Sequence, residues 1–199
     1  MKLIGFYDYT VILTYLSIVS AIVGMVQASR GAFTAAILCL MVSGVCDAFD
    51  GTVARTKKNR TEDEKCFGIQ LDSLCDVVSF GVFPGFLCYR MGVDGVAGLI
   101  CVCLYNLCAV IRLAFFNVLE TKRQQTDDGC NKFYRGLPVT SISMIFPFLY
   151  LFHRLFPEAV FTGILHGMLL VVAFLFVLDI RVKKPDIRRI FSGKAKAAS

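Results

Sequence analysis

Six long runs of apolar residues, separated by short polar segments, set the pattern of this chain. The runs cover residues 9–27, 32–53, 67–89, 93–119, 137–152 and 156–180. Most of them approach the roughly 20 residues that an α-helix needs to cross a bilayer. They are continuously apolar, whereas the strands of a membrane barrel alternate apolar and polar residues. The pattern therefore predicts an all-α polytopic membrane protein with six transmembrane helices.

The composition favours one integral membrane domain over residues 1–199. Hydrophobic residues make up 56% of the chain, which is more than an ordinary soluble domain with an attached anchor would carry. The first apolar run follows a single lysine, Lys2, and is not followed by a convincing small-residue cleavage site. We therefore predict that this run is an uncleaved first span and not a signal peptide.

Basic residues are concentrated in alternate loops. They cluster between the second and third runs, between the fourth and fifth, and in a tail over residues 181–199, while the opposite loops carry only Arg30, Arg90 and Arg154. Lysine and arginine accumulate on the cytoplasmic side, so both termini are expected in the cytoplasm, in a multi-pass protein of the cell membrane. The net charge of +6 is thus a topology signal, and no nucleic acid partner is expected. The tail either only sets this orientation or also binds anionic headgroups.

The cysteines do not predict a disulfide framework or a thiolate metal site. The chain has nine of them, an odd number, and most lie inside apolar runs. There they are expected to act as small buried apolar residues. Those inside the runs are Cys39, Cys46, Cys75, Cys88, Cys101, Cys103 and Cys108.

Four aspartates at the facing ends of the second and third runs are the candidate chemistry. Asp47 and Asp50 are three residues apart, and Asp72 and Asp76 are four apart, so each pair shares one face of its helix. Two such helices packed face to face would direct four carboxylates at one point. Unpaired, these charges would repel each other. A hard divalent cation such as Mg, Mn or Ca would remove the conflict.

Three residues beside these carboxylates suggest a phosphate ligand. Gly51 and Ala54 are small and three residues apart, so they leave a helix face that another group can approach. Arg55 lies one turn after Gly51 and offers a planar donor fork that suits phosphate oxygens. Together with the carboxylates they suggest a metal-bound pyrophosphate. Each has a simpler explanation when taken alone: helix packing for the two small residues, and a topology determinant for the arginine.

This stretch resembles the signature of the CDP-alcohol phosphotransferase family, which reads Asp-x-x-Asp-Gly-x-x-Ala-Arg, a spacer, and Gly-x-x-x-Asp-x-x-x-Asp. The spacer here, residues 56–67, is longer than the common form, so a nucleotide contact at Thr61 is not carried over. The Pro-Asn pair often found before a Leu-Thr in the first span is absent near residues 7–17. The eight fixed positions are matched by Asp47, Asp50, Gly51, Ala54, Arg55, Gly68, Asp72 and Asp76.

Blocks that begin at Phe67, Ile111 and Phe133 are most similar to the phosphatidylserine synthase branch of that family. The resemblance implies a six-helix membrane enzyme that transfers the phosphatidyl group of CDP-diacylglycerol to L-serine and releases CMP. It also implies two divalent ions, Mg²⁺ or Mn²⁺, and a binding surface for CDP-diacylglycerol. The implied metal ligands are Asp47, Asp50, Asp72 and Asp76, with Asp76 as general base; the implied contacts to the cytidine diphosphate are Asp50, Gly51, Ala54 and Arg55.

A serine substrate needs its carboxylate recognised, and two arginines are candidates. Arg112 lies inside the fourth run, where a charge demands a partner or a ligand. Arg135 lies at the entry to the fifth run, beside Gly136 and Pro138. The alternative is that Arg112 pairs with a buried acid and that Arg135 only marks the cytoplasmic side.

The remaining polar residues of the runs are expected to be structural. Asn117 and Ser79 could face a cavity, but an interhelical hydrogen bond is the expected role of each. His153 and His166 lie far from the carboxylates along the chain, and no metal role is expected for them.

Other functions remain open at this stage. The acceptor could be glycerol 3-phosphate or inositol phosphate, and the donor could be an archaeal ether lipid. A divalent-cation transporter would also place carboxylates in membrane helices, although it does not explain the Gly-x-x-Ala-Arg step. A catalytically dead scaffold is disfavoured, because no aspartate of the signature is missing. A homodimer stays open as well, since no interface can be read from the sequence.

Overall fold

The computed structural model describes residues 5–54, 56–57, 61–126, 133–179 and 181–183. Most of the predicted basic tail and Arg55 lie outside these residues. Five helices of the described chain are long and apolar enough to cross a membrane, and a shorter apolar helical segment, Val139–Leu155, accompanies them. The helices are α1 (Ile12–Ser29), α2 (Phe33–Ala54), α3 (Glu62–Asp76), α4 (Phe83–Arg90), α5 (Gly95–Thr126), α6 (Ile142–Leu151) and α7 (Glu158–Val177).

The prediction of an all-α polytopic membrane protein is confirmed. Each predicted span corresponds to one helical segment, with α3 and α4 forming a single rod over Glu62–Arg90. The fifth span is the shorter one, because its α-helix is bounded by 3₁₀ turns at Val139–Ser141 and His153–Leu155 and contains Pro147. Proline removes a backbone donor and interrupts regular helix geometry.

Two helices extend beyond the apolar runs that predicted them. Helix α3 begins at Glu62, where the Thr61 hydroxyl accepts from the Glu64 backbone and the Glu64 carboxylate accepts from the Thr61 backbone. This capping box satisfies donors that would otherwise be unpaired at the helix start. Helix α5 continues to Thr126, beyond residue 119, where the fourth apolar run ends. Hydropathy missed both extensions because polar residues with good helix propensity continue a helix once it has formed.

Helix α1 packs through a face of small residues. Its buried positions recur every three or four residues, and a Cβ added to Gly24 would lie 2.3 Å from the ring of Phe83 on α4. Small residues of this kind let the backbones of membrane helices approach closely. The buried positions of α1 are Thr14, Ser17, Ala21, Gly24 and Ala28.

A π-helical segment, Val77–Val82, joins α3 to α4 directly after Asp76. The hydroxyl of the fully buried Tyr105 donates to the Phe80 carbonyl oxygen at 2.5 Å, and the Tyr105 ring lies 5.6 Å from that of Phe176. Wider helix turns of this type are frequent at functional sites, because they redirect the side chains on either side. The bond from α5 therefore anchors the π-helical segment that directly follows Asp76.

A two-stranded antiparallel sheet closes one end of the bundle. Strand β1 (Phe133–Arg135) precedes α6, and strand β2 (Arg181–Lys183) follows α7. The register places Arg135 opposite Arg181. The sheet thus ties the entry of α6 to the exit of α7, and the Leu137 backbone nitrogen donates to the Leu175 carbonyl oxygen at 3.2 Å nearby.

We expect Tyr105→Phe to destabilise the protein, because the buried Phe80 carbonyl would lose its side-chain donor. The expected loss is about 1–2 kcal/mol in the free energy of unfolding, measured by circular dichroism during denaturation in mixed micelles. Tyr150→Phe is the matched control, since that hydroxyl makes a longer bond of 3.3 Å to Thr34 in an exposed position. Equal losses in both variants would contradict a special role for the bond at the π-helical segment.

Candidate metal centre and substrate site

Helices α2 and α3 bring three of the four predicted aspartates to one point. One carboxylate oxygen from each of Asp47, Asp50 and Asp72 lies within 4.8 Å of the others. Oxygen ligands of a divalent cation lie about 2.0–2.6 Å from it, so two ligands of one ion are separated by at most about 4–5 Å. The three carboxylates therefore could hold a metal ion.

Asp76 lies deeper than the other three. It is buried, with 8% of its surface exposed. Its carboxyl group lies within hydrogen-bonding reach of that of Asp47, and the carboxyl groups of Asp50 and Asp72 lie within hydrogen-bonding reach of each other. All four side chains are thus linked into one acidic group, with Asp76 on its protein-facing side.

The charges of this acidic group are not balanced by neighbouring cations among the described side chains. The described ion pairs involve none of the four aspartates. Two carboxylates 4 Å apart repel each other by about 4 kcal/mol at an effective dielectric constant of 20. The Oδ1 atom of Asp72 is moreover buried without a hydrogen-bond partner. A hard divalent cation would coordinate this oxygen, and its attraction to each carboxylate would outweigh the repulsion between them. The set of carboxylate oxygens therefore fits such an ion.

Two hydrogen bonds fix the helices that carry the acidic group. The Ser73 hydroxyl, next to Asp72, donates to Asn117 Oδ1 on α5 at 2.7 Å. The interhelical role predicted for Asn117 is thereby confirmed. Ser79 is fully buried in the π-helical segment, and its hydroxyl lies 3.5 Å from that of Ser17 on α1, which agrees with the interhelical role expected for it.

The predicted pyrophosphate surface is described only in part. A Cβ added to Gly51 would have no other atom within 4 Å, and the residue is exposed, so the face of α2 beside Asp50 is open. Ala54 is half-buried at the end of the same helix. Arg55 lies outside the described residues. The open face next to the carboxylates leaves room for a bulky ligand.

The N-terminal segment is bound to the connection between α2 and α3. The Lys57 ammonium group donates to Asp8 at 2.8 Å and to Glu64 at 3.0 Å. The hydrogen bond from Lys57 is the main cause that lowers the pKa of the Asp8 carboxyl to about 2. Phe6 and Phe67 meet edge to face, with ring centroids 5.5 Å apart. These contacts hold the long spacer of the signature next to the start of α1.

Arg112 is a buried cation on α5. Only 8% of its surface is exposed, and its Nε atom has no hydrogen-bond partner. The guanidinium carbon lies 5.9 Å from the centroid of the Phe116 ring. Helix α5 runs antiparallel to α3, with Asn117 opposite Ser73 and Tyr105 opposite Phe80. Arg112 lies on α5 between these two contacts.

Gly136, which directly follows the second candidate arginine, forms a turn beside the first, Arg112. It has a φ of 73°, which favours glycine, and a Cβ there would lie 3.3 Å from Arg112 Nε and 3.1 Å from the Leu178 carbonyl oxygen. Arg135 directly precedes this turn in β1; its side chain lies outside the described part of the structure. The turn at Gly136 therefore lies beside Arg112, one residue after Arg135.

Neither histidine lies with the acidic group. The Nδ1 atom of His153 is 2.7 Å from the Tyr150 carbonyl oxygen, and the two rings stack with centroids 4.1 Å apart. His166 makes an equivalent contact of 2.8 Å to the Thr162 carbonyl oxygen within α7. Both rings are thus bonded to backbone groups of their own helical segments.

Sequence reasoning missed one residue of the site. The Thr14 hydroxyl on α1 donates to Asp50 Oδ2 at 3.2 Å, and Thr14 is buried. The available signal was the spacing of Thr14, Ser17 and Ser20, which recur every three residues on a helix that is otherwise apolar.

Comparison with known proteins supports the relationship that the signature indicates. The chain is 32% identical over 151 residues to the archaetidylserine synthase of Methanothermobacter thermautotrophicus, covering 75% of this chain and 60% of that protein. It is 34% identical over 110 residues to the CDP-diacylglycerol–serine O-phosphatidyltransferase of Saccharomyces cerevisiae, covering 54% of this chain and 38% of the yeast protein. The Bacillus subtilis protein of the same name is 36% identical over 89 residues, covering 44% and 48%.

The chain spans at most about 60% of the length of these relatives. No solved structure matches it. The model of the CDP-alcohol phosphatidyltransferase family matches residues 9–180, which include every helix that bears the acidic group and both candidate arginines. This protein therefore belongs to the CDP-alcohol phosphatidyltransferase family.

Proposed function

We propose that this protein transfers the phosphatidyl group of CDP-diacylglycerol to the hydroxyl of L-serine, giving phosphatidylserine and CMP. One observation carries the proposal: carboxylate oxygens of Asp47, Asp50 and Asp72 lie within 4.8 Å of one another. They belong to a bundle of apolar helices that the family model matches over residues 9–180. The names of the relatives described above support serine as the acceptor, since each name includes serine or a serine lipid. The proposed site lies between the C-terminal parts of α2 and α3, within the cytoplasmic half of the proposed membrane span.

We propose that the four aspartates bind two divalent ions, Mg²⁺ or Mn²⁺. When bound, such ions neutralise the diphosphate and stabilise the charge that develops on CMP as it leaves. The oxygens that lie close together come from Asp47, Asp50 and Asp72. The Asp76 carboxyl group contacts that of Asp47 and so lies next to them. Gly51 and Ala54, with Arg55, would contact the cytidine diphosphate on the open face of α2.

Asp76 is the proposed general base. Its carboxylate takes the proton of the serine hydroxyl, and the serine oxygen attacks the phosphorus that carries the lipid. A new oxygen–phosphorus bond forms as the bond to CMP breaks, and the bonding electrons leave with CMP. The burial of Asp76 at the inner side of the acidic group supports this role, because a base there is shielded from water.

Arg112 is the proposed partner of the serine carboxylate, together with Arg135. A buried guanidinium with an unpaired Nε atom can donate to an anionic ligand, and Arg112 lies on α5 between the contacts that Tyr105 and Asn117 make to the segment around Asp76. The alternative predicted from the sequence was a buried acid as the partner of Arg112. The described ion pairs do not include one, so the substrate interpretation is the better supported.

The membrane placement follows from the charge pattern and the apolar helices. The multi-pass architecture has five long apolar helices in its described part. We propose that it resides in the cell membrane as one integral domain with both termini cytoplasmic, because the basic loops then lie inside. CDP-diacylglycerol would reach the open face of α2 from the inner leaflet.

A second donor lipid is favoured by one specific observation. The archaeal relative is named an archaetidylserine synthase, and its match covers 75% of this chain. The metal and head-group residues do not distinguish ester-linked from ether-linked chains. An assay with both kinds of CDP-activated lipid and serine decides between them.

We expect purified protein in detergent to release CMP from CDP-diacylglycerol with serine in the presence of Mg²⁺ or Mn²⁺. Glycerol 3-phosphate and inositol phosphate, supplied in parallel, should give no CMP, because their phosphates require additional cationic groups. Chelation with EDTA should abolish release, and added ion should restore it. Release with one of the other acceptors alone would assign a different acceptor, and cation flux into vesicles without CMP release would favour a transporter.

We expect Asp76→Asn to lower the rate of CMP release by ~10²–10⁴-fold, the usual contribution of a general base. Binding of Mn²⁺, measured separately, should persist because the other three carboxylates remain. Asp94→Asn is the control, since Asp94 is exposed outside the bundle. A variant at Asp76 that turned over at a near-normal rate with bound ion would exclude it as the base.

We expect Arg112→Lys to raise the KM for serine about 10–100-fold, because lysine keeps the charge but loses the planar donor fork. The KM for CDP-diacylglycerol should stay close to that of the native protein. Arg90→Lys is the matched control, since Arg90 donates to the Ser29 carbonyl oxygen at 3.0 Å at the other end of the bundle. An unchanged serine KM in both Arg112→Lys and Arg135→Lys would exclude the proposed carboxylate site.

A further inference from the structure

We propose that Thr14 of α1 is a positioning residue for the metal ligand Asp50. Its hydroxyl donates to Asp50 Oδ2 at 3.2 Å, and only 6% of the residue is exposed. Thr14 lies 33 positions before the first aspartate of the signature, so the contact joins a third helix to the acidic group of α2 and α3. The proposal rests on the metal site put forward above and adds a residue that holds it in shape.

The bond restricts the orientation of the Asp50 carboxylate. An ionised carboxylate offers about four acceptor positions on two oxygens. The Thr14 hydroxyl occupies one position on Oδ2, so the carboxylate keeps acceptor positions that an ion can use. Residues that hydrogen-bond metal ligands in this way orient them, and their loss typically reduces metal affinity about 10–100-fold.

The bond also opposes the repulsion within the acidic group. A free aspartate side chain would rotate away from the two neighbouring carboxylates, which repel it. The hydrogen bond to Thr14 favours the rotamer in which Asp50 stays beside Asp47 and Asp72, because a bond to an ionised carboxylate is stronger than one between neutral groups. Thr14 thus offsets part of the repulsion that an ion would remove.

Helix α1 can do this because its register against α2 is fixed. The Ser17 and Ser43 hydroxyls lie 2.7 Å apart, and the Ser43 hydroxyl also reaches the Ser17 carbonyl oxygen at 3.0 Å. Ser17 follows Thr14 by one helical turn, and Ser43 precedes Asp50 by two turns. A second bond, from the Ser20 hydroxyl to the Cys39 carbonyl oxygen at 2.9 Å, continues the series. A shift of α1 along α2 would break all of these bonds together.

The test measures Mn²⁺ binding by the purified full chain in detergent, using electron paramagnetic resonance of the free ion. We expect Thr14→Val to weaken Mn²⁺ binding about 10–100-fold. Thr14→Ser, which keeps the hydroxyl, should bind within about threefold of the native protein. Thr14→Ala is the second hydroxyl-free variant, which protects the test if valine beside the carboxylate prevents folding.

Ser20→Ala is the matched control, because it removes a hydrogen bond between the same two helices without touching a carboxylate. It should leave Mn²⁺ binding unchanged. In Thr14→Val the Mn²⁺ concentration for half-maximal CMP release should rise, while the KM for serine at saturating Mn²⁺ should not. The unfolding temperature without metal, measured for every variant, separates misfolding from loss of the ion.

The outcomes separate this inference from the proposed function. If the native protein does not bind Mn²⁺, or if Asp50→Ala binds it as well as the native protein, the metal site itself is wrong. If the native protein binds Mn²⁺ and the folded Thr14→Val and Thr14→Ala variants bind it equally well, only the role of Thr14 is wrong. Equal weakening in Ser20→Ala and Thr14→Val would likewise overturn the role of Thr14, because general helix packing would explain it.

Discussion

Like-charge repulsion among four carboxylates inside an apolar bundle is the constraint on which this structure depends. Carboxylates at membrane depth are unfavourable unless they are paired or bound to a cation. Here Asp47, Asp50 and Asp72 approach within 4.8 Å, and no described ion pair relieves them. The bundle must therefore hold the acidic group together by contacts from outside it. Carboxylates held together in this way can bind a hard divalent cation. Without the contacts from neighbouring helices, their repulsion would drive them apart.

The support comes from polar bonds between helices, each at a different level of the bundle. Thr14 holds Asp50 from α1, and Ser73 joins α3 to Asn117 on α5 next to Asp72. Deeper in the bundle, Tyr105 donates to the carbonyl oxygen of Phe80 where the π-helical segment follows Asp76. In an apolar environment such bonds have few competing partners, so a small number of them can fix the relative positions of four helices, α1, α2, α3 and α5.

The proposed substrate site combines an anionic and a cationic half. Gly51, next to Asp50, leaves the face of α2 open, which would suit a metal-bound diphosphate. Arg112 has an unpaired Nε atom beside the turn at Gly136. Serine would present its hydroxyl to the aspartates and its carboxylate to Arg112. This complementarity agrees with the serine acceptor in the names of the relatives.

The sequence alone determined the helical elements and the pairing of the aspartates on two helix faces. Continuous hydropathy predicted every span, and the three- and four-residue spacings placed each aspartate pair on one helix face, because both signals are local and periodic. Hydropathy did not predict the polar extension of α5 to Thr126, since helix propensity and not hydropathy decides where a helix ends in a polar segment. Only the tertiary structure brought Thr14 to Asp50 and the turn at Gly136 to Arg112. These pairs are 36 and 24 residues apart, and contacts at such separations depend on how whole helices pack, which no local pattern in one sequence records.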